Sequence, residues 1–178
     1  MRQLVKLILS ILAAALIPST SHAQDLSSDM DFVGIKALRI TASPLTIDSI
    51  DCNIEVTYLV RELQRQFEAE GLAAASADDA LAVISLLSAR QSGDGACNSS
   101  LMLGAYKKAS FFDHDAGWLR TGYVVIWQSA LLISSPVDQH LSLSRDALAR
   151  LAQSMLKEWQ NANTPSPSKE LAKPGFAG

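Results

Sequence analysis

Two cysteines are the residues in this chain with the clearest chemistry. Cys52 and Cys97 lie 45 positions apart, so they do not form the C-x-x-C motif of a redox dithiol. No histidine-rich cluster adjoins either of them, as a zinc site would require. In an oxidising compartment a lone pair of cysteines forms a structural disulfide, which over this loop stabilises by about 4 kcal/mol in the chain-entropy model. We therefore predict a Cys52–Cys97 disulfide.

Three short clusters carry ionisable side chains that are suitable for metal binding or acid–base work. Asp113-His114-Asp115 and Asp138-Gln139-His140 offer oxygen and nitrogen atoms, and Asp78-Asp79 offers two carboxylates. Adjacent residues point in different directions, however, whereas a metal site needs converging ligands. We interpret the three clusters as polar loops or turns, with residues 113–117 forming a hairpin loop, and predict no metal site.

The sequence shows no motif for nucleophilic catalysis or phosphate binding. There is no G-x-S-x-G turn and no evident Ser-His-Asp arrangement. The turn at Gly93-Asp94-Gly95 lacks the lysine and the following helix of a phosphate-binding loop. We predict a protein that is not an enzyme and has no cofactor.

The first 23 residues have the pattern of a secretory signal peptide. Arg2 and Lys6 precede an apolar run over 7–18, and Ser21-His22-Ala23 supplies the small residues of a cleavage site, with cleavage expected after Ala23. The apolar run is too short to span a bilayer, and no cysteine follows it for a lipid anchor. We expect a soluble periplasmic protein without a permanent membrane anchor.

The charge of the expected mature chain limits its partners. Removal of residues 1–23 leaves 155 of the 178 residues, with 13 basic and 18 acidic side chains and a net charge of −5. Nucleic-acid binding needs clustered lysines and arginines, so this class of partner is excluded. The length suits one domain with a real core.

The predicted elements follow from hydrophobic periodicity. Alternating or continuous apolar runs predict strands over 32–41, 80–89, 99–112 and 118–133. Apolar stripes with helical spacing predict helices over 51–70 and 144–160. Asp51 or Asn53 is the expected N-cap of the first helix.

The order of these elements predicts an α+β fold of two layers. The order is β-α-β-β-β-α, in which the crossover helix favours a parallel first pair and the short turns favour antiparallel neighbours. We expect a mixed four-stranded sheet with two helices packed on it, in a single domain over 32–162. Residues 24–31 are predicted to be a flexible leader, and residues 163–178 a disordered tail.

Several segments carry a resemblance to other exported proteins. These are Glu62-Leu63 with Gly71-Leu72, the strand segment 122–129 and the closing segment 157–163. In these the chain resembles small exported bacterial proteins of uncharacterised function. The resemblance implies the order of elements and no catalytic residue. The helix–sheet order is also similar to that of modules found in periplasmic assembly proteins.

The last predicted strand is apolar on both of its faces. Strict alternation places one set of side chains on one side: Tyr123, Val125, Trp127, Leu131 and Ile133. It places Val124, Ile126, Ala130 and Leu132 on the other. The helices could cover opposite faces, or loops 42–51 and 134–143 could cover the second face. The third explanation is an exposed apolar sheet surface, which marks association or ligand binding.

We favour a non-enzymatic interaction or assembly protein of the cell envelope. Its expected partners are a second copy of the chain or another envelope protein, bound through an apolar sheet face. The alternative is a small-ligand binding protein with a pocket between sheet and helices, lined by Trp127, Tyr106 and Trp159. The candidate face or pocket residues are Tyr106, Tyr123, Val125, Trp127, Leu131 and Trp159.

Overall fold

A computed structural model of the chain describes residues 32–74, 79–91 and 95–164. The predicted signal peptide, the leader and the segment after Thr164 lie outside these residues. The elements are β1 (Ala37–Ala42), α1 (Ile47–Asp51), α2 (Val56–Ala69), β2 (Ala73–Ala74), β3 (Ala80–Arg90), β4 (Ala96–Asp113), β5 (Trp118–Pro136) and α3 (Val137–Asn163). No helix among the described residues is long and apolar enough to cross a membrane.

The strands form one mixed sheet in the order β2-β1-β3-β4-β5. Strand β1 runs parallel to β2 and β3, whereas β3, β4 and β5 are antiparallel neighbours. The predicted α+β class and mixed sheet are confirmed, but the counts of four strands and two helices are wrong. Strand β2 was missed because a two-residue strand, Ala73–Ala74, is too short to show alternation.

The predicted helix over 51–70 is divided into two helices. Helix α1 ends at Asp51, and Asn53 then adopts a left-handed backbone with φ of 58°, a conformation that asparagine tolerates better than most residues. Helix α2 begins after Glu55, whose side chain makes no capping hydrogen bond. The predicted N-cap at Asp51 or Asn53 is therefore wrong, because Asp51 is the last residue of α1 and Asn53 lies in the turn between α1 and α2.

Helix α3 is longer at both ends than predicted. Strand β5 continues to Pro136 and the helix starts at the next residue, so the loop expected over 134–143 is absent. Asn163, expected to begin the tail, is the last helical residue. Its side-chain amide donates to the Phe32 carbonyl at 3.0 Å and its Oδ1 accepts from the Gly34 amide at 3.0 Å.

The core lies between one face of the sheet and the helices α2 and α3. Burial alternates along β3 and β4, so that every second side chain is enclosed. The enclosed sheet residues include Ala82, Ile84, Leu86, Leu101, Leu103 and Ala105, and those of the helices include Leu59, Leu63, Phe67, Leu148, Leu151 and Met155. The described domain therefore has two layers, one of strands and one of helices.

The predicted disulfide is confirmed. Cys52 and Cys97 are bonded, their Cα atoms lie 5.8 Å apart, and both residues are fully buried. The bridge joins the turn that follows α1 to the start of β4. It therefore fixes the chain between β1 and α2 against the antiparallel part of the sheet.

Candidate interaction surface

A β-bulge in β5 decides which side chains face the helices. Ala105 of β4 pairs with Trp127, but its neighbour Tyr106 pairs with Val125. Ile126 is therefore an extra residue in β5, and the alternation of faces shifts by one position there. Directly paired residues of antiparallel strands share a face, so the two parts of β5 can be assigned separately.

The bulge separates residues that strict alternation had placed together. Trp127 and Leu131 lie on the face that packs against the helices, where both are partly buried. Tyr123 and Val125 lie on the opposite face and are 41% and 55% exposed. The prediction that these four side chains share one side is therefore wrong, because a continuous apolar run does not show the inserted residue.

Tyr106 and Trp159 also lie on different sides of the sheet. The Tyr106 ring covers Gly104 so closely that a Cβ built there would lie 2.8 Å from the ring. Trp159 is on α3, on the helix side, and its indole Nε1 donates to the Ile35 carbonyl at 2.7 Å. The pocket expected between Trp127, Tyr106 and Trp159 is therefore not formed, because the sheet separates Tyr106 from the other two.

We call the sheet face opposite α2 and α3 the open face. Its most exposed large side chains along β3 and β5 are Leu87 and Leu132, at 65% and 87%. Leu132 also borders a shallow groove of about 360 Å³ with Asn98, Ser100 and Ser134. Neither leucine was among the predicted site residues, although the two-sided apolar pattern of both strands was a signal for such a face.

No described helix or loop covers the open face. The two helices lie on the same side of the sheet, so they do not cover opposite faces. The segment over 42–51 forms α1, where the Ser49 hydroxyl bonds to Ser88 on the helix side. The segment over 134–143 belongs to β5 and α3. Of the three explanations for the apolar strand, an exposed surface is the one that fits the described residues.

Strands β4 and β5 extend beyond the rest of the sheet as a two-stranded ribbon. The pairing of β3 with β4 ends at Ala80 and Lys107, so residues 108–123 have no third strand. We call these residues, together with Val124, the arm. Six of the thirteen exposed large apolar residues in the described chain lie on the arm: Phe111, Phe112, Trp118, Leu119, Tyr123 and Val124. Isolated two-stranded ribbons are only marginally stable, so the arm is suited to docking.

The tip of the arm contains the Asp113-His114-Asp115 cluster. The Asp113 carboxylate accepts from the backbone amides of Asp115 and Ala116, each at 3.0 Å, and pairs with Arg120 at 2.8 Å. The His114 ring lies edge-on to Phe112 at 5.1 Å. These contacts hold the hairpin loop in place, so the cluster has a structural role.

Comparisons with known proteins do not identify a family. No family model matches the chain, and no curated protein matches it. A solved structure that resembles it is the PelC L103M dodecamer from Paraburkholderia phytofirmans, with 13% identity and a TM-score of 0.40. The match covers 71% of this chain and 87% of that one. A TM-score of this size does not establish a shared fold.

His140 is not in a polar loop, as predicted, but in the first turns of α3 and fully buried. The Ser99 hydroxyl lies 2.7 Å from its Nε2 and the Ser135 hydroxyl 2.7 Å from its Nδ1. Sequence reasoning missed this cluster because the three residues come from separate elements. Since the imidazole has no exposed surface and serines occupy both nitrogens, a substrate cannot reach it.

The hydrogen bonds around His140 form one chain with a defined direction. The Ser135 hydroxyl donates to the Pro136 carbonyl at 3.2 Å, so it must accept from Nδ1–H. Nε2 then accepts from the Ser99 hydroxyl. Before Ser99, each hydroxyl donates to the next in the order Thr46, Ser49, Ser88 and Ser99, with oxygen–oxygen distances of 2.9, 3.1 and 2.6 Å. This arrangement requires a neutral imidazole, and burial lowers the pKa of His140 accordingly.

The remaining predicted clusters give no site. Asp79 is exposed, and its backbone carbonyl accepts from the Lys108 amide at 2.7 Å. Asp78, Gly93 and Asp94 lie outside the described residues. Within the described ranges, no group of three or more histidine, cysteine or acidic residues could hold a metal ion.

Proposed function

We propose that this protein is a non-enzymatic interaction or assembly protein of the cell envelope, which acts in the periplasm. It binds a second copy of itself or another envelope protein through the open face. The observation that carries this proposal is the position of Leu87 and Leu132, which point away from the core on either side of Ser100, on a sheet face that no described element covers. Exposed apolar surface of this kind marks association sites.

The energetics of the open face favour docking. Burying a leucine side chain fully contributes about 1.5–3 kcal/mol, so a partner that covers the face gains several such terms. Polar residues lie among the leucines: Ser100 between them, Ser134 at the groove, and Gln128, which donates to the sulfur of Met102. Protein interfaces combine apolar contacts with hydrogen bonds of this kind.

Two features support an extracytoplasmic, non-enzymatic role. The buried Cys52–Cys97 bridge needs an oxidising compartment to form, in agreement with the predicted signal peptide. The His140 cluster, which has the residue types of a catalytic centre, is enclosed in the core and supports structure instead.

Site-specific photo-cross-linking in intact cells tests the proposal. A photoreactive side chain at Leu132 should form adducts with protein, whereas the same group at Ile47 should not. Ile47 is a matched control because it is 78% exposed but lies on α1, on the helix side. In a second experiment the photoreactive group is placed at Leu87, another position on the open face. Leu132→Lys should then abolish the adducts formed at Leu87, and Ile47→Lys should leave them unchanged. Equal adducts at Leu132 and Ile47, or none at Leu132, would contradict the proposal.

A further inference from the structure

The outer edge of β5 along the arm lacks the features that usually protect a sheet edge. Among the described residues, the only strand partner of β5 is β4. Native edges are protected by short length, lysines, prolines or bulges. From Trp118 to Val124 the strand has neither proline nor lysine, and Arg120 is its only charged residue. This segment is therefore ready to pair with another strand.

We propose that the arm pairs with the arm of a second copy, β5 edge against β5 edge, antiparallel about a two-fold axis through Thr121. The inference rests on the proposed function and deepens it by naming a second copy as the partner of the arm. It uses the outer edge of β5, whereas the open face remains available for an envelope partner.

The charge of the arm favours a second copy. Lys108 and Arg120 balance Asp113 and Asp115, so the arm has no net charge although the chain carries −3. A neutral patch neither repels itself nor selects a charged partner. The four exposed apolar side chains of the arm that belong to β5 offer on the order of 400 Å² per copy, about half of the ~800 Å² that each partner buries in a standard interface. One patch can serve both partners in a two-fold dimer.

The position of the axis follows from the geometry of the strand. A two-fold axis perpendicular to the sheet leaves each side chain on the same face in both copies. Because opposed residues share a face, both must have even numbers or both odd numbers, so one residue lies on the axis and faces its own counterpart. The regular segment runs from Trp118, after the hairpin loop, to Val125, before the bulge at Ile126. Axes on Thr121 and on Gly122 give equally long pairings, over 118–124 and 119–125, and we place the axis on Thr121 because of its side-chain matches.

This register also matches side chains across the interface. Trp118 would face Val124 of the second copy and Leu119 would face its Tyr123, both of which are favourable aromatic–aliphatic pairs. Arg120 would face Gly122, beside which the Phe111 ring lies 3.4 Å from the position of a Cβ. By contrast, an axis on Arg120 would oppose two arginines, and an axis on Gly122 would place Arg120 against a valine.

Cross-linking through one added cysteine in the full, exported chain tests the register, since Cys52 and Cys97 are bonded to each other. Opposed Cα atoms in an antiparallel pair lie about 4.5–5.5 Å apart, within the disulfide range of about 4.4–6.8 Å. Thr121→Cys should therefore yield an oxidised covalent dimer at low protein concentration. Ser110→Cys is the matched control, because Ser110 bonds to Thr121 on the same face of the arm but belongs to β4, away from the outer edge.

A second variant measures the association itself. Leu119→Lys should raise the dimer dissociation constant by roughly tenfold or more in sedimentation experiments, since it places an unpaired charge at the interface. A monomeric natural chain, or equal cross-linking by the Thr121→Cys and Ser110→Cys variants, would overturn the inference. Either result would leave the proposed function intact if adducts at Leu132 persist. If instead the Thr121→Cys variant forms its cross-linked dimer but no adducts form at Leu132, the proposed function of the open face is wrong and the inference about the arm stands.

Discussion

At the scale of single residues, His140 shows how a polar group is accommodated in an apolar core. Each hydroxyl in the series of hydrogen bonds donates once and accepts once. The series begins at the Thr46 hydroxyl and ends at the Pro136 carbonyl, and every polar side chain within it has a partner. A charged imidazole would have two donors, and Nε2–H would then meet the hydroxyl hydrogen of Ser99. The stability of the fold is therefore linked to the neutral form of His140.

We expect the free energy of unfolding to fall as the solution becomes more acidic. An unfolded histidine has a pKa near 6.5, whereas burial lowers the pKa of His140 in the folded state. Below about pH 6.5 the unfolded state binds the additional proton, so this group opposes folding by up to about 1.4 kcal/mol per pH unit until its folded pKa is reached. Urea unfolding between pH 8 and pH 5 measures the effect.

The control for this pH dependence is the exposed histidine of the arm. His140→Gln should flatten the change in stability between pH 7 and pH 5, although the variant is less stable throughout. His114→Gln, in the hairpin loop, should retain the pH dependence of the natural chain. An unchanged slope in His140→Gln would show that His140 is not the source of the pH dependence.

The residue scale also shows where prediction from sequence ends. Asp138-Gln139-His140 resembles a loop because polar residues follow a proline, and nothing local indicates that Ser99 lies opposite the histidine. By contrast, the Cys52–Cys97 pair was predicted because only one pairing of two cysteines exists. Long-range hydrogen-bond partners depend on register, which single residues do not reveal.

At the scale of elements, the disulfide holds in place the segment between β1 and α2, where the sequence had predicted the start of a continuous helix. Helix α1 has only five residues and could not persist alone. It is held by its Thr46 cap, by the hydrogen bond from Ser49 to Ser88, and by the bridge at Cys52. The bridge therefore fixes the element that starts the hydrogen-bond chain to His140.

Removal of the bridge should destabilise the fold without changing its topology. The double variant Cys52→Ala with Cys97→Ala should lose about 2–4 kcal/mol in urea unfolding, because the closed loop no longer restricts the unfolded chain. Amide hydrogen exchange should increase most in α1 and in the adjoining turn. A double variant as stable as the natural chain would show that packing alone holds α1.

Elements were predicted well where the apolar pattern was continuous and poorly where it was interrupted. The long strands and the stripe of α2 were recognised because their periodicity extends over many residues. The break at Asn53, the two-residue strand β2 and the bulge at Ile126 each involve one or two positions. Local changes of this size depend on tertiary pairing, so the sequence pattern contains little trace of them.

At the scale of the whole molecule, one layer of helices covers one face of the sheet. Composition and element order predicted the layers, but they did not decide that both helices lie on the same side. That choice depends on the connections, and it determines which apolar residues stay exposed. The open face and the arm follow from it together.

Association should be insensitive to salt or favoured by it. The whole chain carries −3 and the arm no net charge, so the remaining electrostatic force between two copies is repulsion. Raising the ionic strength from 0.1 M to 1 M shortens the screening length from about 10 Å to about 3 Å. Sedimentation at both salt concentrations should give an equal or lower dissociation constant at 1 M, whereas a weaker dimer there would indicate an interface held by ion pairs.

The bulge at Ile126 has a consequence for how this surface can evolve. Because the alternation restarts there, the outer half of β5 is uncoupled from the half that fills the core. Deleting that single position would leave Trp118 and Val124 on their present faces, because Val125 and Trp127 already lie on opposite faces and would then alternate as direct neighbours. Loss of the bulge residue is thus compatible with an unchanged set of side chains on each face of the outer half of β5.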